Sequence, residues 1–157
     1  MLKSIEGNFN TPKVHDLLIK HFIELRSVSP VGSAHVLDIA GLKDPSIKFW
    51  SLWMDNELIG VGALKFLDKV HGEFKSIRVN DKYRNKGYGL KIINHLINEA
   101  KKLSIEKLSL ETGSGDFFLH ARKLFVKCGF KTCKPFSHYK IDINSVYMSM
   151  LTCNKKN

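Results

Sequence analysis

Apolar positions along the chain switch between a helical and a strand-like period, and each switch marks an element. After Thr11-Pro12 they recur at Val14, Leu17, Leu18, Phe22 and Leu25, the three- and four-residue spacing of one helix face. Threonine suits the N-cap and proline the first helical position, while Pro30 forces a stop. The same spacing returns at Leu90, Ile93, Leu96, Ile97, Ala100 and Leu103, and again at Phe117, Phe118, Ala121, Leu124 and Phe125. Gly129 stands after this last series as a C-terminal glycine cap. Between the helices, strands are predicted over residues 1–7, Ile47 to Met54, Leu58 to Phe66, Glu73 to Val79, Lys107 to Thr112, Phe130 to Cys133 and Val146 to Leu151. Asp55-Asn56 makes a hairpin turn, and Ser29 to Pro45 reads as a loop with one short helical turn. Gly60 and Gly62 fall inside a strand, where glycine permits close approach of a neighbouring backbone or a ligand. The order β-α-loop-β-β-β-α-β-α-β-β predicts an α/β (α+β) fold, with a mostly antiparallel mixed sheet and helices on its faces.

Composition narrows the class. A chain of 157 residues with 43% hydrophobic content can bury a core as one domain, 1–157, without disulfide or metal. Its apolar runs are too short to cross a bilayer, and Met1-Leu2-Lys3 opens no secretory signal, so the expected compartment is cytoplasmic. Cys128, Cys133 and Cys153 form no CxxC pair and no cluster with histidine at metal-ligand spacing, so no metal is expected and each reads as a small hydrophobe. A net charge of +10 would attract polyanions. The lysines are scattered, however, and no helix-turn-helix, zinc-finger or RNP pattern accompanies them, so neither nucleic acid nor membrane is the expected partner.

The most informative stretch is Arg84-Asn85-Lys86-Gly87-Tyr88-Gly89, a basic glycine turn between a predicted strand and a predicted helix. Such a turn can present unpaired N–H groups and the positive end of a helix dipole to one anion. It lacks both GxxxxGK[ST] and GxGxxG, which speaks against nucleoside triphosphates and dinucleotides. Spacing alone leaves a phosphate cradle and a ligand-free helix cap equally open.

Arg84-x-x-Gly87-x-Gly89 after the strand Glu73 to Val79, followed by Ala121-x-x-Leu124-Phe125-x-x-x-Gly129-Phe130, resembles the GNAT superfamily of acyl-CoA-dependent N-acyltransferases. The match covers Gly72 to Phe130. Leu110 to Gly115, Lys134-Pro135-Phe136 and Ser145 to Met148 look like a subgroup of small bacterial acetyltransferases. The resemblance implies a GNAT-like sheet of about six to seven strands with about four helices, acetyl-CoA as cosubstrate, and two strands that splay apart to hold the thioester. It implies that backbone groups of Ile77, Arg78 and Val79 receive the pantetheine arm. N–H groups from Arg84, Asn85, Lys86, Gly87, Tyr88, Gly89 and Leu90 would then wrap the pyrophosphate, with the charges of Arg84 and Lys86 added. Glu73 stands where several members carry a catalytic glutamate, and is the candidate general base, directly or through water; alternatively it pairs with a basic neighbour. A backbone N–H near Val79 would stabilise the oxyanion.

The sequence departs from the family pattern at two positions. Phe125 stands where many members have the tyrosine that protonates the leaving thiolate, and phenylalanine cannot donate a proton. Phe118 stands where many place a cofactor-contacting asparagine. Tyr139, His138, Tyr147 and Ser114 are the candidate substitutes. The implied function is direct acetyl transfer in a ternary complex to a small-molecule or peptide amine. A non-catalytic acyl-CoA sensor is the alternative, and a homodimer is compatible with either. Residues 25–44 and 134–144 are the expected acceptor-facing segments, and His35, Trp50, Trp53 and Tyr139 could wall a pocket or pack a core.

Overall fold

A computed structural model of the chain describes residues 1–30, 32–33 and 35–152. Cys153 and the tail Asn154 to Asn157, expected to fray, lie outside the described residues. The elements are β1 (Leu2–Glu6), α1 (Pro12–Val28), α2 (Ile39–Leu42), β2 (Ile47–Met54), β3 (Glu57–Phe66), β4 (His71–Val79), α3 (Tyr88–Lys102), β5 (Lys107–Gly113), α4 (Leu119–Lys127), β6 (Lys131–Cys133) and β7 (Ser145–Leu151), with 3-10 turns at Asp81–Tyr83 and Asp116–Phe118. Among the described residues, seven strands form one sheet in the order β1-β2-β3-β4-β5-β7-β6. Neighbours run antiparallel except β4 and β5, which are parallel. The mostly antiparallel mixed sheet and four α-helices match the sequence expectation.

Local chemistry sets the boundaries. Pro12 opens α1, and Ser29 leaves the helix at φ −104° and ψ 137°, the extended region to which a following proline pushes its predecessor. The apolar series of α3 buries Ile92, Ile93, Leu96, Ile97 and Ala100. Helix α3 can lie close on β3 because of two glycines: a Cβ at Gly60 would meet Ile92 Cδ1 and would stand 2.5 Å from Arg78 O of β4, and one at Gly62 would stand 2.8 Å from Leu96 Cδ1. One core gathers Leu64, Phe74, the α3 face, Leu108, Leu110, Phe125 and Phe130. A second, beneath α1 and α2, gathers Val14, Leu17, Leu18, Leu42, Phe49 and Val61.

The third helical series differs from its expectation. Phe117 and Phe118 belong to the 3-10 turn, and α4 begins only at Leu119. Arg122 donates from Nη1 to the carbonyls of Gly113 (2.6 Å) and Gly115 (2.8 Å), which ties the loop to the helix. Gly129 closes α4 at φ 109°, the left-handed cap its position predicts.

Candidate functional site

The site begins where two parallel strands part. β4 and β5 pair only at His71 with Lys107, Gly72 with Leu108 and Glu73 with Ser109, although both continue to Val79 and Gly113. Each is held by its other neighbour. β5 is bonded to β7 along its whole length, and β4 to β3 with a register shift between Val61 and Ala63. Opposite that shift, Ser76 adopts φ 55°, and a bulge of this kind bends and twists its strand. The two strands diverge into a cleft of about 730 Å³, walled by β4 from Phe74, β5 from Leu110, the end of α1 and the starts of α3 and α4.

Beyond Glu73 the edge of β4 that faces the cleft is not paired with β5. Asn80 donates its N–H to Ile59 O on β3 (2.8 Å), so alternation along the strand turns the backbone of Val79 and Ile77 towards the cleft. Past Asn80 the chain makes the Asp81–Tyr83 turn, passes Asn85 at φ 60° and Gly87 at φ 83°, and enters α3 without a side-chain cap. The first N–H groups of this helix, at Tyr88, Gly89 and Leu90, have no intrahelical acceptor by construction. Gly89 also lets α4 come near: a Cβ there would lie 2.9 Å from Leu124 Cδ1.

The charges of this turn serve the scaffold more than the cleft. Arg78 Nη2 donates to Glu24 Oε2 (2.7 Å) and Asp81 Oδ1 (3.0 Å). Arg84 Nη2 pairs with Asp81 (2.9 Å) and Glu24 (3.6 Å), and Lys20 also pairs with Asp81. The Arg78 hydrogen bond holds the Glu24 carboxyl below its ordinary range, and Lys20 does the same for Asp81. α1 is thereby fastened to the turn. Arg84 is 46% exposed but already doubly paired, which leaves Lys86, whose ammonium rests 5.7 Å over the Tyr83 ring, as the less committed cation. Beside this network His21 is buried, and its pKa is lowered to about 4 by burial first and then by Arg78.

On the α1 side of the splay lies a polar cluster. Glu73 is 1% exposed and does not line the cleft. Its Oε2 accepts from Tyr139 OH (2.6 Å) and pairs with Lys75 Nζ (3.2 Å), while Oε1 is buried without a partner. Lys75 also donates to Tyr139 OH (2.7 Å) and His35 O (3.3 Å). Lys75 and His35 do reach the cleft. Burial, and then the neighbouring Glu73, push the Tyr139 hydroxyl above its ordinary range, so it stays protonated as the donor to Glu73. Glu111 lines the cleft directly, and Ser145 Oγ donates to its Oε1 (2.9 Å). Burial pushes its carboxyl up.

The other candidate donors are placed differently. Tyr147 OH donates to Lys140 O (2.6 Å), Ser114 Oγ donates to Ile143 O (2.8 Å), and His138 stacks on Tyr139 at 4.7 Å. Phe125 lines the cleft with its ring packed edge-on against Phe130, and Phe118 packs over Gly113. Trp50 is buried in the core, and Trp53 Nε1 donates to Ser51 Oγ (2.8 Å). Lys75 and Glu111 were not among the residues expected from sequence. Their signal was alternation: on β4 Lys75 shares a face with Glu73, and on β5 Glu111 shares a face with Ser109, whose neighbours Leu108 and Leu110 point into the core. Among the described residues no group of three or more His, Cys, Asp or Glu is placed to hold a metal, and no helix is long and apolar enough to cross a membrane.

Comparison with known proteins agrees with this fold. Residues 11–130 match the family model described as the acetyltransferase (GNAT) family. The chain is 44% identical over 137 residues to the uncharacterized N-acetyltransferase YsnE of Bacillus subtilis (strain 168), covering 87% of this chain and 91% of that one. It is 38% identical over 142 residues to the uncharacterized N-acetyltransferase YedL of Escherichia coli (strain K12), covering 90% and 89%. Among solved structures, a Bacillus subtilis acetyltransferase in complex with CoA superposes with a TM-score of 0.72 at 21% identity, over 96% of this chain and 99% of the other. A family match over most of the chain and two relatives at 44% and 38% identity lead to one assignment: this chain belongs to the GNAT acetyltransferase family.

Proposed function

We propose that the chain moves an acetyl group from acetyl-CoA to an amine by direct attack within a ternary complex. The observation that carries this reading is the divergence of β4 from β5 after Glu73 and Ser109, which opens one cleft from the N-terminus of α3 to the Lys75–Glu111 cluster. The pyrophosphate sits at the α3 N-terminus, on N–H groups from Asn85 through Leu90, the Arg84 N–H being donated to Asp81 O (3.3 Å), with Arg84 on the cleft wall and Lys86 in the same turn as the charges. The pantetheine arm runs along the edge of Ile77 and Val79, pairing with their main-chain groups as an added strand would, while Arg78, expected beside them, turns its backbone to Val61 of β3 and its side chain to Glu24 and Asp81. The thioester carbonyl then lies at the splay, where a β4 N–H receives the oxyanion.

Glu73 enters this reading through its partners. Sealed behind Tyr139 and Lys75, its carboxylate influences the acceptor amine by holding the Lys75 ammonium in place, and any proton reaching it travels through those hydrogen bonds or a water. His35, Lys75 and Glu111 border the acceptor's end of the cleft. The amine enters there. A coenzyme A release assay over small amines, amino acids, peptide N-termini and protein lysines tests the proposal. Acceptor-dependent release with one class is the expected result. Tight acetyl-CoA binding with no release from any class would favour a sensor, the alternative that Phe125 keeps in view.

A further inference from the structure

Acetyl transfer to an amine frees one proton at nitrogen and requires one at sulfur, and the tyrosine that many family members use at the second step is Phe125 in this chain. Glu111 is placed to do both. It stands on the β5 lip of the splay and lines the cleft, whereas Glu73 is sealed behind the β4 lip. Ser145, from β7, donates to one oxygen of Glu111, and among the described residues no hydrogen bond engages the other. Around it stand Lys75 and Glu73 from β4, Tyr147 and Ser145 from β7, Tyr139, and Asp142 from the loop before β7. Asp116, the other acid on the cleft wall, is exposed on the 3-10 turn.

We propose that Glu111 is the proton carrier of the cleft, taking a proton from the acceptor nitrogen and handing it to the sulfur of coenzyme A. The proposal rests on the acetyl-transfer reading above. The neutral amine attacks the thioester carbon, so that a C–N bond forms and the C=O pair moves onto oxygen. The nitrogen is then cationic, and the Glu111 carboxylate removes one of its protons. As the oxyanion re-forms C=O, the C–S bond breaks with its electron pair going to sulfur, and Glu111 delivers its proton there. The products are the amide, the thiol and a Glu111 carboxylate as at the start. Burial raises the carboxyl above its ordinary range, the direction in which a carboxylate becomes a better proton acceptor.

The test needs no known acceptor. In coenzyme A carrying ¹³C at the methylene beside sulfur, the carbon resonance follows titration of the bound thiol. In the unaltered protein a neighbouring carboxylate should hold that thiol protonated about one pH unit higher than in Glu111→Gln. Coincident titrations overturn the proposal. Failure of the unaltered protein to bind coenzyme A in calorimetry would instead overturn the acetyl-CoA reading on which it rests. With any amine found to release coenzyme A, Glu111→Gln should lose about 100-fold or more in kcat, with KM for acetyl-CoA within about twofold. Adding Phe125→Tyr should restore part of that loss by supplying a hydroxyl donor to the same cleft. Wild-type kcat in Glu111→Gln would overturn the proposal just as directly.

Discussion

Lys75 is a cation 11% exposed, and it is tolerable there because Glu73, Tyr139 and His35 O all accept from it or balance its charge. Removing one member of a buried pair leaves the other uncompensated, a loss of roughly 3–5 kcal/mol in well-sealed cases. Glu73→Gln, which keeps the shape and the Tyr139 hydrogen bond, should therefore lower stability by about 3 kcal/mol. A urea midpoint within error of the unaltered protein would show that the pair contributes nothing. His21 gives a pH signature. Its pKa is lowered from 6.5 to about 4 in the fold, so between these values the unfolded chain binds a proton that the folded chain refuses. Stability from this group is full above pH 6.5, declines as pH falls through the window, and is flat below 4. The loss across the window is about 3 kcal/mol at roughly 1.4 per unit. Denaturant midpoints at pH 7 and 4.5 should therefore converge in His21→Leu relative to the unaltered protein; equal drops in both would dismiss the assignment.

At the scale of elements, α3 and the strands beneath it were legible because their chemistry is local. The helical spacing from Leu90 onwards, the glycines of β3 and the cap at Gly129 each follow from neighbours in sequence. Gly60 and Gly62 also rank themselves. A methyl at Gly60 would meet the Arg78 carbonyl, which cannot move without disturbing β4, while one at Gly62 meets the end of the Leu96 side chain. Gly60→Ala should destabilise by about 2–3 kcal/mol and Gly62→Ala by about 1, and the reverse order in equilibrium unfolding would contradict the packing described for α3. The splay was not legible from periodicity. It depends on β5 preferring β7 and β4 preferring β3, pairings between residues dozens of positions apart that no local pattern encodes. For the same reason Glu73 could be located on its strand, but its enclosure by Tyr139, from a loop 66 residues away, could not. The turn itself yields a prediction about ligand. Gly87 has φ 83° and open space around it, so valine there strains the backbone without a clash. Gly87→Val should weaken acetyl-CoA binding by about tenfold or more while folding cooperatively; unchanged calorimetric affinity would remove the α3 N-terminus as the pyrophosphate site.

Over the whole molecule the net charge of +10 has a use that needs no nucleic acid. Coenzyme A carries several negative charges on its phosphates, and a positive protein concentrates such a ligand around itself before any specific contact forms. The local scaffold tempers this field, since the three charges of Arg78, Arg84 and Lys20 are largely offset by Glu24 and Asp81 at the mouth of the turn. Attraction at long range thus falls to lysines spread over the surface, whereas in the proposed binding mode retention falls to N–H groups at the start of α3 and along β4. These two contributions respond differently to salt. Raising ionic strength from 0.01 to 0.1 M shortens the screening length from roughly 30 to 10 Å, which weakens the distant charges and leaves contacts a few ångströms long almost untouched. Stopped-flow binding of acetyl-CoA should accordingly show an association rate that falls several-fold across this range, with a dissociation rate that changes by less than about twofold. Salt acting mainly on dissociation would mean instead that side-chain cations, with Lys86 and Arg84 foremost, hold the bound phosphates, and that the backbone cradle is secondary.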